Sequence, residues 1–146
     1  MVYIKTLKQS RFPITLTNFY MKTIINTANA PAPIGPYNQA VAAGNFLFVS
    51  GQIPFHPGTG ELITNDIILA THLVMENIGA ILEEAGANFG HIVKTTIFLT
   101  DMKSFGEVNE VYGTYFTDQF PARETVQVSG LPKGVNIEIS VIAVKP

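Results

Sequence analysis

The sequence predicts an α+β domain, a mixed β-sheet with two helices on one of its faces. Three observations carry that prediction. Valines and isoleucines alternate with polar residues through 125–141, the period of a strand with one buried face. Apolar residues recur at three- and four-residue spacing over 66–85 and 104–117, the period of an amphipathic helix. Gly, Pro and Asn mark the joints, so the elements run strand, hairpin, helix, strand, helix, hairpin, and both helices fall on one side of the sheet.

Residues 23–26 read as a short first strand. The loop Ala30-Pro-Ala-Pro-Ile-Gly-Pro-Tyr37 carries three prolines and a glycine, so its path is stiff enough to hold the Tyr37 side chain still. Residues 39–43 and 46–50 flank Gly44-Asn45 and read as a hairpin with a two-residue turn. Ser50-Gly51 ends that hairpin, the glycine allowing close approach of a ligand and the serine adding a hydroxyl. The turn formers of 56–60 lack the Gly-Lys-Ser/Thr of a phosphate-binding loop.

Asp66 is positioned to cap a helix running to Ala85, with Gly86 just past its end. Ile67, Ala70, Val74, Ile78, Ile81 and Ala85 form its apolar stripe. His72 and Glu76 lie four apart on its polar side and read as a solvated pair, since no third metal ligand stands near. The β-branched run within 91–101 reads as a strand. A second helix over 104–117 buries Phe105, Val108, Val111, Tyr112, Tyr115 and Phe116, with Asn109 beside that stripe.

The last quarter of the chain reads as a second hairpin, residues 129–134 forming its loop. Val128 then pairs with Val135 and Val126 with Ile137, so Thr125 lies across from Glu138 and Arg123 diagonal to it. Arg123, Thr125, Gln127, Asn136, Glu138 and Ser140 fall on the sheet face that the helices leave uncovered. A guanidinium, a carboxylate and a hydroxyl side by side fit a solvated ion pair as well as a binding site.

Composition narrows the function. A chain of 146 residues makes one domain. With 47% hydrophobic and only 14% charged residues, it is expected to hide part of its surface in an oligomer. No cysteine means no disulfide framework and no thiolate chemistry. No apolar run reaches the roughly 18 residues of a membrane-spanning helix. From Met21 onward six Lys and Arg face eleven Asp and Glu, the opposite of a nucleic-acid footprint. Arg123 is the only arginine after Arg11, which suits one small anion rather than a polyanion. Residues 1–20 are basic, acid-free and rich in hydroxyls, loosely like an organelle transit peptide. Pro13 interrupts any helix there and only three basic residues are present. The stretch is therefore expected to be an upstream-start artefact or a loosely held, non-essential tail, with residues 21–146 the domain and the location cytoplasmic.

The run Pro121-Ala-Arg-x-x-Val126, followed by Leu131-Pro132 and Ile137-Glu138-Ile139, resembles the C-terminal signature of the RidA/YjgF family of enamine/imine deaminases. Ala32-Pro-Ile-Gly-Pro-Tyr-Asn-Gln-Ala40 and Ser50-Gly-Gln-Ile-Pro-Phe-His-Pro-Gly-Thr-Gly-Glu61 agree with it, and the similarity runs from about Lys22 to Pro146. The resemblance implies a chorismate-mutase-like, RidA-like fold and a homotrimer with clefts between subunits. It implies hydrolysis of 2-iminobutanoate and 2-iminopropanoate to 2-oxo acids and ammonia, with no cofactor or metal. Arg123 would anchor the substrate carboxylate and Glu138 would position or activate water. Tyr37, Ser50, Gly51, Asn109 and Thr125 would shape the pocket. Arginine's planar fork matches a carboxylate, and a carboxyl group one water away from the imine carbon suits proton transfer.

Three departures stand out. Thr125 occupies a position where many relatives carry cysteine. The segment Phe116-Thr-Asp-Gln-Phe120 is a few residues shorter than theirs. Ser140 replaces a second acidic residue. A second reading is a catalytically silent trimer that binds small carboxylates as a regulator or scavenger, which needs Arg123 but not Glu138. A third, the RNA cleavage or translation inhibition attached to some family members, goes against the acidic balance of the domain.

Overall fold

A two-residue turn sets the first part of the sheet. The computed structural model describes residues 22–146; the N-terminal extension lies outside the described residues. Gly44 takes a φ of 58°, which glycine adopts without Cβ strain, and joins β2 (Ala40–Ala43) to β3 (Phe46–Gln52) as the sequence predicts. The remaining strands are β1 (Thr23–Ile25), β4 (Ile92–Leu99), β5 (Ala122–Gln127) and β6 (Ile137–Val144). Their order is β1-β2-β3-β6-β4-β5. Only β4 and β5 run parallel, so the sheet is mixed.

This order corrects the second hairpin. β5 and β6 do not pair; β4 lies between them. The reason is visible in the strands themselves. β6 is apolar on both faces towards its end, with Ile142 and Val144 opposite Val141 and Ala143, as befits a strand paired along both edges. β5 carries Arg123, Glu124 and Gln127 and takes the edge, where charge is tolerated and discourages further pairing.

Helix α1 (Ile67–Glu84) starts as predicted, with Asp66 Oδ1 accepting from the Ile68 and Leu69 amides, both at 2.9 Å. Such a cap contributes about 1 kcal/mol. Ala70, Val74, Ile78 and Ile81 are buried against β3 and β6. Helix α2 (Phe105–Gly113) is shorter than the period suggests. Past Gly113 the Thr114 hydroxyl donates back to the Val111 carbonyl at 2.7 Å, a local bond that competes with helix continuation. Tyr115 and Phe116 thus lie beyond the helix yet still pack with Phe89 and Tyr112. His72 also departs from expectation: it is half-buried, with Nδ1 2.9 Å from the Tyr115 hydroxyl, rather than a solvated partner of Glu76.

Leu47, Val49, Ile97, Leu99, Ile137, Ile139 and Val141 point from the sheet to the helices and are buried. The opposite face is also apolar. Ile24, Val41, Phe48 and Ile142 stand in register across β1, β2, β3 and β6, and Phe46 pairs with Val144 in the next row. Phe46 and Phe48 keep 47% and 45% of their surface exposed. Beyond this band lies a polar group, Lys94 paired with Glu124, whose carboxylate also accepts from Thr96.

Candidate active site

Arg123 leaves β5 toward the helix side of the sheet. Its register partner is Thr95 on β4, which in turn opposes Val141 on β6, and both are buried under the helices. The guanidinium reaches α2, where Nη2 donates to Asn109 Oδ1 at 2.9 Å. It lies 4.9 Å from the Tyr112 ring centroid and 5.8 Å from that of Phe105, within cation–π range of both. The Tyr112 hydroxyl donates to Thr95 Oγ1 at 3.0 Å, which fixes the ring from below. Asn109, Tyr112, Gly113, Phe120, Pro121 and Arg123 line an open cavity of about 410 Å³.

Glu138 stands elsewhere. Side chains on a strand alternate in direction, and Glu138 lies three residues from Val141, so it projects from the other face. The expectation that Arg123 and Glu138 share the uncovered face is therefore corrected: Glu138 is on it, Arg123 and Thr125 are not. The cause is the intervening β4, which sets β5 by parallel register rather than by a turn.

Glu138 belongs to a second cavity of about 240 Å³, lined by Ile34, Tyr37, Ser50, Gly51, Ile53, Pro132 and Glu138. The sheet is bulged there, since Val49 pairs with Val141 but Gln52 with Ile139, leaving Ser50 and Gly51 against Ser140. A Cβ at position 51 would overlap the Glu138 carboxylate, so the missing side chain of Gly51 is what lets that carboxylate lie on the strand. Half-burial raises the Glu138 carboxyl above its ordinary 4.5, and among the described residues no cation or hydrogen bond counters the shift. Ser50 Oγ donates to the Asn38 carbonyl at 2.7 Å. The Tyr37 hydroxyl accepts from the Ile34 amide at 3.3 Å, folding the ring over the proline-rich loop.

The predicted residues thus fall into two groups with no lining residue in common. Arg123 and Asn109 form one; Tyr37, Ser50, Gly51 and Glu138 form the other. Thr125 shares the helix-side face of β5 with Arg123, but its hydroxyl is buried without a hydrogen-bond partner among the described residues. Among those residues no group of three His, Asp or Glu side chains is placed to hold a metal, and no helix is long and apolar enough to cross a membrane.

Three supporting residues escape a reading of the sequence. Phe105, Asn109 and Tyr112 recur at i, i+4 and i+7, which puts them on one helix face. That spacing marked Phe105 and Tyr112 only as core, whereas Phe105 is 40% exposed and both rings flank the guanidinium. Gln39 is buried and staples the loop that carries Tyr37. Its Oε1 accepts from the Thr27 amide at 2.6 Å, and its Nε2 donates among the Thr27, Ala30 and Pro31 carbonyls at 2.8–3.1 Å. Nothing in the local pattern distinguishes Gln39 from a surface amide.

A sequence profile of the family described as Endoribonuclease L-PSP matches residues 27–145. The chain is 55% identical over 125 residues to a RutC family protein of Pyrococcus horikoshii, covering 86% of this chain and 99% of that one. It is 43% identical over 125 residues to the 2-iminobutanoate/2-iminopropanoate deaminase of Mus musculus, covering 86% and 93%. Among solved structures, the YjgF gene product of E. coli matches with a TM-score of 0.81 at 47% identity over 85% of this chain and 99% of that one. E. coli TdcF with bound serine matches with a TM-score of 0.81 at 45% identity and the same coverage. The chain belongs to this family, the RidA/YjgF family, and has its fold.

Proposed function

We propose that the protein is a 2-iminobutanoate/2-iminopropanoate deaminase that works as a homotrimer, each site joining the Arg123 half of one copy to the Glu138 half of the next. The observation that carries this reading is the division of the site residues: the carboxylate anchor and the carboxyl group lie on opposite faces of one sheet. Neither half holds the parts for imine hydrolysis alone. Two different patches that meet between copies make a heterologous contact, and such contacts close into a ring when the rotation allows. The apolar rows on the uncovered sheet face support association, since an exposed band of that kind marks an interface. The identity to the mouse deaminase supports the chemistry.

In this reading Arg123, held flat by Asn109, Tyr112 and Phe105, binds the substrate carboxylate through two parallel hydrogen bonds. The imine carbon then lies near Glu138 of the partner subunit. Glu138 takes a proton from water as the water oxygen bonds to the carbon of the protonated imine, and the C=N electron pair moves to nitrogen, giving a neutral amine. The proton on Glu138 passes to the amine, the C–N bond breaks, ammonia leaves, and loss of the hydroxyl proton gives the 2-oxo acid. A carboxyl group with a raised pKa takes up and returns the proton more readily than an ordinary glutamate. A cytoplasmic location belongs to the same proposal.

An amino-acid oxidase supplying 2-iminobutanoate or 2-iminopropanoate in the presence of semicarbazide tests it. The protein is expected to suppress semicarbazone formation, and Arg123→Ala is expected to lose that suppression. No suppression by folded wild-type protein would leave the second reading, a silent binder of small carboxylates. The serine bound to TdcF favours keeping that reading in view.

A further inference from the structure

Lys133 is the one non-glycine residue with positive φ among the described residues, at φ 56° and ψ 15°. It sits in the Pro132–Gly134 turn, and the next residue, Gly134, is left-handed as well. A lysine has no local reason to adopt this conformation, which glycine or asparagine takes with less strain. Strain of this kind gathers at functional sites.

What the strain achieves is the placement of a cation. The Lys133 ammonium lies 5.6 Å from the Phe55 ring centroid. Both residues line a narrow crevice of about 20 Å³, together with Gln39, Gln52 and others. That crevice adjoins the Glu138 cavity: Ile34, Tyr37, Gly51 and Ile53 line both. Pro132, the neighbour of Lys133, also lines the Glu138 cavity. No carboxylate pairs with Lys133 among the described residues, where Lys94–Glu124 is the ion pair found. The Glu138 half-site therefore has, at its rim, a cation with no carboxylate partner among the described residues.

Resting on the imine deaminase reading, we propose that Lys133 acts at the far end of the substrate and extends the range of the site beyond 2-iminobutanoate and 2-iminopropanoate to 2-imino acids whose side chain ends in an anionic group. Arg123 takes the carboxylate next to the imine. Glu138 acts at the imine carbon. The side chain runs past Ile53 and Pro132, and its terminal anion meets the ammonium at the mouth of the crevice. A crevice this small holds the tip of a side chain and not a second molecule.

The test compares imines generated from glutamate and 2-aminoadipate with those from norvaline and norleucine, each by a suitable oxidase. Lys133→Gln is expected to lower kcat/KM for the two acidic imines about tenfold, the scale of a charge-assisted contact, and to move the neutral pair less than twofold. Added salt is expected to weaken only the acidic pair. Lys133→Gly is expected to lose the same selectivity while Tm holds or rises, because the strained backbone relaxes. Equal effects on acidic and neutral imines would overturn the proposal. So would wild-type protein that hydrolyses 2-iminopropanoate but not the acidic imines. Failure to hydrolyse any imine would instead overturn the deaminase reading on which this one rests.

Discussion

Arg123 and Glu138 project from opposite faces of one sheet, with β4 between their strands. In the proposed assembly, a site that uses both takes them from two copies of the chain. Arg123→Ala and Glu138→Ala protomers, each inactive alone, should therefore restore activity when co-assembled. With random mixing of equal amounts in a ring, roughly a quarter of the clefts carry both intact halves. Activity measured after co-expression with two different affinity tags checks this. A mixed preparation as inactive as its parents would place both residues of a working site in one chain.

Gly51 and Glu138 are coupled by contact. Gly51→Ala introduces a Cβ where the carboxylate lies, so the flexible end of Glu138 must swing away. The expected result is a fall in kcat of about a hundredfold or more, the range for a lost acid–base group, with circular dichroism unchanged. Retention of wild-type kcat would mean that this carboxylate position is not the working one.

Glu138 also gives a pH prediction. Burial raises its folded-state pKa above 4.5. Between the unfolded and folded values the folded chain binds more protons, so stability falls as pH rises through that window. Above it the buried charge is a constant cost. Glu138→Gln should therefore stabilise the protein at neutral pH, and the gain should fade as pH falls through that window and be gone below about 4.5. Urea denaturation at both ends of the window, at fixed protein concentration, measures it.

Tyr112 has two separable jobs. Tyr112→Phe keeps the ring beneath Arg123 but leaves the buried Thr95 hydroxyl without its donor, so about 1–2 kcal/mol of stability should be lost with KM nearly unchanged. Tyr112→Leu removes the ring and should raise KM about tenfold. Equal KM values in the two variants would show that the ring does not orient the guanidinium.

Much of the fold was legible locally. Asp66 and Gly86 bound α1 because a cap and a left-handed terminus are written in single residues. Gly44-Asn45 fixed the first hairpin for the same reason. The second helix was read too long because Tyr115 and Phe116 continue its apolar period, yet their burial comes from Phe89 and Tyr112 across the fold. Arg123, Asn109, Tyr37 and Gly51 stand out as candidates through motifs, while the parts that hold Arg123 and the Tyr37 loop, the ring of Tyr112 and Gln39, depend on contacts distant in sequence.

The sequence by itself determined which residues alternate, where turns and caps fall, and that an arginine and a glutamate stand in the last two strands, consecutive in the chain. Only the tertiary structure decided that these strands do not touch. Alternation tells which side chains of one strand share a face, but not which of the sheet's two faces that is. That choice follows from strand order, and strand order follows from burial: β6 is apolar enough to be paired on both edges, β5 is charged enough to remain at one. Inserting β4 between them sends Arg123 to the helices and Glu138 to the open face, dividing between two surfaces the site that the sequence had drawn as one.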